Sequence, residues 1–112
     1  MTIKKILPEQ LFEKMKIQDK VILLDVRSEK KYNDYHIEGS SIENLNIKKS
    51  EIFKLEEHGK ENYFSLPKDE EIIVTCTTGN SATKCAAILS ERDYKVTVLD
   101  GGITAWREFL KK

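Results

Sequence analysis

None of the apolar runs in this chain approaches the ~20 residues that a membrane-spanning helix needs. The opening stretch, Met1-Thr2-Ile3-Lys4-Lys5-Ile6-Leu7-Pro8, lacks the apolar core of a secretory signal. An excess of either charge is also missing. Lys+Arg and Asp+Glu both number 19, for a formal net charge of zero. Nucleic acid and anionic membrane surfaces both favour a basic excess, so neither is expected as the main partner. Cysteine is scarce. The two present, Cys76 and Cys85, make no disulfide framework, which predicts a reducing, cytoplasmic setting where a thiol is reactive or simply buried. With only two histidines, widely spaced, no metal site is expected. There is no Gly-rich nucleotide fingerprint, no repeat and no low-complexity linker, so residues 1–112 read as one domain.

What is present is an alternation of strand and helix patterns. Pro8 suits a first helical residue, and Leu11, Phe12 and Met15 follow at helical spacing, predicting a helix over 8–17. Val21-Ile22-Leu23-Leu24 is a continuous β-prone run ending at Asp25, as in a parallel strand covered on both faces. Ser28 can cap a brief helix through Tyr35. Residues 37–66 are the least regular: Gly39-Ser40-Ser41 marks a turn, Ile42, Leu45 and Ile47 are scattered anchors, 48–58 can be helical, and 58–62 reads as a solvated loop. After Pro67, Ile72-Ile73-Val74-Thr75 is a second buried strand that ends at Cys76. A helix over 81–92 places Ala82, Cys85, Ala86 and Leu89 on one face. Val96-Thr97-Val98-Leu99 is a third strand, and a closing helix sets Ile103, Trp106 and Leu110 on one face. Strands alternating with helices predict a three-layer α/β domain, a central parallel sheet flanked by helices.

Chemistry in open α/β sheets gathers beyond the carboxyl ends of strands, near helix N-termini, and Cys76 falls at such a place. The residues after it, Thr77-Thr78-Gly79-Asn80-Ser81, include no Pro, so every N–H of 77–81 can donate. Curled over the sulfur, they would form an anion-binding nest continued by the helix dipole, which favours a thiolate. Thr77, Thr78 and Ser81 add hydroxyls, and Gly79 permits a turn closed to other residues. A cysteine ending an apolar strand is, by itself, more often packing than chemistry. The Cys-x-x-Gly-Asn-Ser turn moves the balance towards reactivity.

Four segments in order resemble the successive signatures of the rhodanese superfamily. They are Leu24-Asp25-Val26-Arg27, Tyr35-His36-Ile37-Glu38-Gly39-Ser40, Cys76 to Ser81, and Leu99-Asp100-Gly101-Gly102-Ile103-Thr104-Ala105-Trp106. The resemblance covers residues 20–110 and implies the rhodanese fold, with Cys76 as the sulfur-carrying residue. It implies a sulfurtransferase that takes sulfane sulfur from thiosulfate or a persulfide and gives it to cyanide or a thiol, with no cofactor. Many members carry Arg one and five residues after the cysteine, where this chain has Thr77 and Ser81. A less cationic pocket and weaker affinity for thiosulfate are therefore expected, with Arg27 the cation best placed to assist a charged donor.

Two other classes compete. The phosphatases and arsenate reductases that resemble this family have a loop one residue longer that ends in Arg, and phosphoryl transfer without a guanidinium is poorly stabilised. A non-catalytic binding module or a persulfide carrier serving a sulfur-relay partner is the alternative, and the retained Cys76 ranks the module second. Cys85 reads as core packing, His36 as a loop-fixing side chain bonded to backbone, and Trp106 as core.

Overall fold

The computed structural model describes residues 3–58 and 66–112. Its elements, in chain order, are β1 (Lys4–Ile6), α1 (Pro8–Lys16), β2 (Val21–Asp25), α2 (Glu29–Asp34), β3 (Ile42–Asn46), α3 (Lys49–His58), β4 (Glu71–Thr75), α4 (Asn80–Ser90), β5 (Lys95–Leu99) and α5 (Gly102–Leu110). The strands form a five-stranded sheet in the order β1-β5-β4-β2-β3, with every neighbouring pair parallel. The fold is the parallel α/β architecture that the alternating pattern predicts.

The alternation of strand side chains builds two cores. Ile22, Leu24, Ile72 and Val74 point to one face, where Ile52 and Leu55 of α3 and Ala82, Cys85 and Leu89 of α4 cover them. Val21, Leu23, Ile73 and Leu99 point to the other, against Leu11 of α1 and Ile103 and Trp106 of α5. Covering on both faces is why β2 is apolar without a break until Asp25.

Local chemistry sets the helix ends. Pro8 opens α1, and the Gln10 side chain reaches back to accept the Leu7 N–H at 2.8 Å. Ser28 Oγ accepts the Lys31 N–H at 3.3 Å, the expected cap of α2.

Two readings need correction, and a third falls outside the described residues. β1 and β3 are strands that the sequence pattern does not announce. Both are edge strands, β1 paired to β5 and β3 to β2, and the neighbour's ladder supplies the order that their own residues lack. Leu110 is exposed rather than on the inner face of α5. Phe109 takes that place, its ring 5.5 Å from Phe12 and 5.9 Å from Trp106, because α5 ends against α1. The solvated loop expected over 58–62 lies, beyond His58 at the end of α3, outside the described residues.

From β2 the chain crosses to β3 on one side, and from β4 it crosses to β5 on the other. The carboxyl ends of β2 and β4 therefore border a topological switch point, the usual ligand crevice of such sheets. Residues 25–27 follow one of these strands and residues 76–81 the other.

Candidate active site

Cys76 is the first residue beyond β4, and it is buried. Its Sγ accepts the N–H of Gly79 at 3.0 Å and that of Ala82 at 3.3 Å. The expected donor segment was 77–81. Gly79 belongs to it, whereas Ala82 lies one residue further on, where the first turn of α4 leaves its N–H without a helical acceptor. Gly79 holds φ +103° at the start of that helix, a conformation that side chains disfavour. Two backbone dipoles and a helix N-terminus thus converge on one sulfur, an arrangement that stabilises negative charge there.

The loop is braced from α5. Ile103 donates its N–H to the Cys76 carbonyl at 2.8 Å, and Thr104 donates to the Thr77 carbonyl at 2.9 Å. The approach requires Gly102: a Cβ there would collide with the Cys76 carbonyl oxygen and lie 2.7 Å from that of Thr77. Asp100-Gly101-Gly102 is therefore part of the loop's support.

Cys76 lines a cavity of about 360 Å³. Of the residues singled out from the sequence, Thr77, Thr78, Ser81 and Arg27 also line it. Asn80 is exposed and does not, and Gly79 contributes its N–H. Arg27 is largely committed elsewhere. Its Nε and Nη2 grip the buried Asp25 carboxylate at 2.6–3.0 Å, and Nη2 donates to the Tyr35 carbonyl at 2.6 Å. This pair ties the end of β2 to the end of α2.

The cysteine loop itself carries no cation, but three lysines reach the cavity from outside it. Lys31, Lys48 and Lys49 line the cavity beside Arg27, and among the described residues no Asp or Glu does. These lysines come from α2 and from the start of α3, not from the cysteine loop, so nothing in the loop motif signals them. The only hint is the Lys48-Lys49 pair itself, which is ordinary in a chain with 34% charged residues.

Cys85 is fully buried in the α4 face of the core. Burial pushes its thiol up to about 12, negative charge on Cys76 adds to this, and Lys49 opposes it. The neutral thiol packs as a small hydrophobe. His36 Nδ1 lies 2.7 Å from the Tyr32 carbonyl, with its ring stacked on that of Tyr32, so its backbone partner belongs to α2 and not to the loop around Gly39.

A family model described as "Rhodanese-like domain" matches residues 8–109. The chain belongs to the rhodanese-like family. A curated relative from Bacillus subtilis (strain 168), named "Putative sulfurtransferase YtwF", is 27% identical over 106 residues, covering 95% of this chain and 92% of that protein. Among solved structures, a rhodanese-related protein from Thermoplasma volcanium is 26% identical with a TM-score of 0.71, covering 95% of this chain and 92% of that one. The reduced Bacillus anthracis CoADR-RHD matches in fold, with a TM-score of 0.76 at 24% identity; 97% of this rhodanese-like chain spans only 17% of that larger one. Family membership and the relative's name support a sulfurtransferase-family function. No helix among the described residues is long and apolar enough to cross a membrane.

Proposed function

We propose that this protein is a cytoplasmic sulfurtransferase that carries sulfane sulfur on Cys76. The observation that carries the reading is the pair of N–H groups from Gly79 and Ala82 on a cysteine sulfur at the floor of a cavity.

In the first half-reaction the Cys76 thiolate attacks the outer sulfur of thiosulfate or of a persulfide. A new S–S bond forms to Cys76, the old one breaks, and sulfite or a thiolate leaves with the bonding electrons. In the second, cyanide or a thiol attacks the outer sulfur of the Cys76 persulfide and restores the thiolate. Each step moves one sulfur atom between nucleophiles and needs no further oxidant or reductant. The hydroxyls of Thr77, Thr78 and Ser81 line the space where the outer sulfur and the donor sit. Donors fixed in place before charge arrives stabilise the transition state at little cost in reorganisation. The presence of Cys76 in such surroundings favours catalysis over a purely binding module.

Mass spectrometry after incubation with thiosulfate, and in parallel with glutathione persulfide, tests the reading. The expected result is a gain of one sulfur atom on Cys76, removed by cyanide and absent in Cys76→Ser. A reduced protein that gains no sulfur from either donor would overturn it.

A further inference from the structure

We infer that Lys31, Lys48 and Lys49 form a recognition site for the anionic leaving group of the sulfur donor. This rests on the sulfurtransferase reading of Cys76 and adds to it the class of donor that the pocket selects.

The first support is charge. The whole chain is neutral, yet among the described residues its cysteine cavity is lined by four basic side chains and no acidic one. Arg27 is neutralised by Asp25 at 2.6 Å, which leaves the three lysines as the net charge. None of them makes an ion pair among the described residues, although their neighbours do. Lys30 pairs with Asp34, and Lys54, on the same helix as Lys49, pairs with Glu51. Among the described residues, positive charge at the cavity is thus not cancelled by an ion pair.

The second support is position. Residues 46–49 are laced to residues 25–27, the segment that borders the cavity. Asn46 Nδ2 donates to the Asp25 and Arg27 carbonyls at 3.0 and 3.1 Å. The Ile47 N–H donates to the Asp25 carbonyl at 3.1 Å, and the Lys49 N–H to the Val26 carbonyl at 2.9 Å. Four bonds fix the backbone from which Lys48 and Lys49 rise. The Lys49 ammonium lies 3.4 Å from Ser81 Oγ, so it is directed at the cysteine loop rather than away from it. A charge whose backbone is held in advance loses less entropy on binding an anion.

The chemistry that fits is a small donor whose departing portion carries negative charge before the S–S bond breaks. That portion is the sulfite of thiosulfate or the carboxylates of a peptide-like thiol such as glutathione. Uncharged donors would react with Cys76 without meeting the lysines.

Two measurements test this. In steady-state assays, Lys48→Gln/Lys49→Gln is compared with the parent on thiosulfate, glutathione persulfide and 2-hydroxyethyl persulfide, with Lys95→Gln at the far end of the sheet as control. Exposed charge pairs contribute modestly, so KM for an anionic donor should rise about two- to fivefold per lysine, fading at high salt, with kcat retained. The hydroxyethyl donor should be unaffected. A rise with thiosulfate alone assigns the site to the sulfonate next to the sulfur, and a rise with glutathione persulfide alone assigns it to distant carboxylates. An equal change with all three donors, or none with either anion, overturns the inference while leaving Cys76 chemistry intact. The second measurement is calorimetric titration of thiosulfate and of glutathione into Cys76→Ser with and without the lysine changes. It reads the anion site even if no donor transfers sulfur, and equal affinities would also overturn the inference.

Discussion

Ile103 donates its backbone N–H to the carbonyl oxygen of Cys76 at 2.8 Å, which joins the last helix to the residue that follows the central strand β4. With Thr104 bonded to the Thr77 carbonyl in the same way, two successive peptide groups are held with their C=O bonds towards α5. In a trans peptide the N–H points opposite to the C=O, so the N–H groups of Thr77 and Thr78 face away from α5. The curl of the loop over the sulfur is imposed from outside the loop. The Asp100-Gly101-Gly102 segment belongs to the site for this reason.

The first prediction concerns Gly102. An alanine there would push its Cβ into the carbonyls of Cys76 and Thr77, at a position whose φ is +63°. Left-handed backbone and a collision with main chain should together cost about 2–4 kcal/mol, read from the urea midpoint of Gly102→Ala. Sulfur gain on Cys76 should fall further than the unfolded fraction accounts for, because the loop's carbonyl anchors are displaced. Full persulfide yield from folded Gly102→Ala would show that α5 does not organise the loop.

The second prediction concerns Arg27 and Asp25, whose side chains are 9% and 2% exposed. Arg27→Ala would leave a buried carboxylate without its partner, at a cost of about 3–5 kcal/mol. Arg27→Lys keeps the charge but loses the fork that spans both carboxylate oxygens, so it should also destabilise, though less. Removing both charges in Asp25→Asn/Arg27→Leu should recover part of the loss. Equilibrium denaturation of the three variants decides the matter: equal stability for Arg27→Ala and the parent would mean that the pair contributes nothing.

The sequence carried more of the sheet's middle than of its edges. Val21 to Leu24 and Ile72 to Thr75 are buried on both faces, so hydrophobicity alone marked them. β3, Ile42-Glu43-Asn44-Leu45-Asn46, owes its form to pairing with β2, and neither its composition nor its periodicity says so. The site divides similarly. Gly79 and Cys76 are three residues apart in the chain and legible as a turn. Lys31, Lys48 and Lys49 reach the cavity only through the two crossovers that flank β3, a relation set by topology. Reading the loop's charge from its own residues therefore undercounted the cations around the sulfur.

The last prediction follows from the raised thiol of Cys85. In the folded protein it ionises near 12, against an ordinary value of 9.0 that the unfolded chain approaches. Between these two values the unfolded state has released a proton that the folded state still holds. Stability must then fall as pH rises, by up to about 1.4 kcal/mol per pH unit, while below pH 9 the group has no effect on the slope. Cys85→Ala removes that slope, so the parent's advantage in unfolding free energy should shrink above pH 9 and change sign towards pH 11. A modest cavity cost, about 1–2 kcal/mol, should separate them at neutral pH. The same burial should keep Cys85 unreactive to iodoacetamide at pH 8 in the native state, with Cys76 as the modified residue and both thiols modified after unfolding. A difference between parent and variant that stays constant from pH 7 to 11, or native-state labelling of Cys85 as fast as that of Cys76, would show that the buried thiol ionises normally.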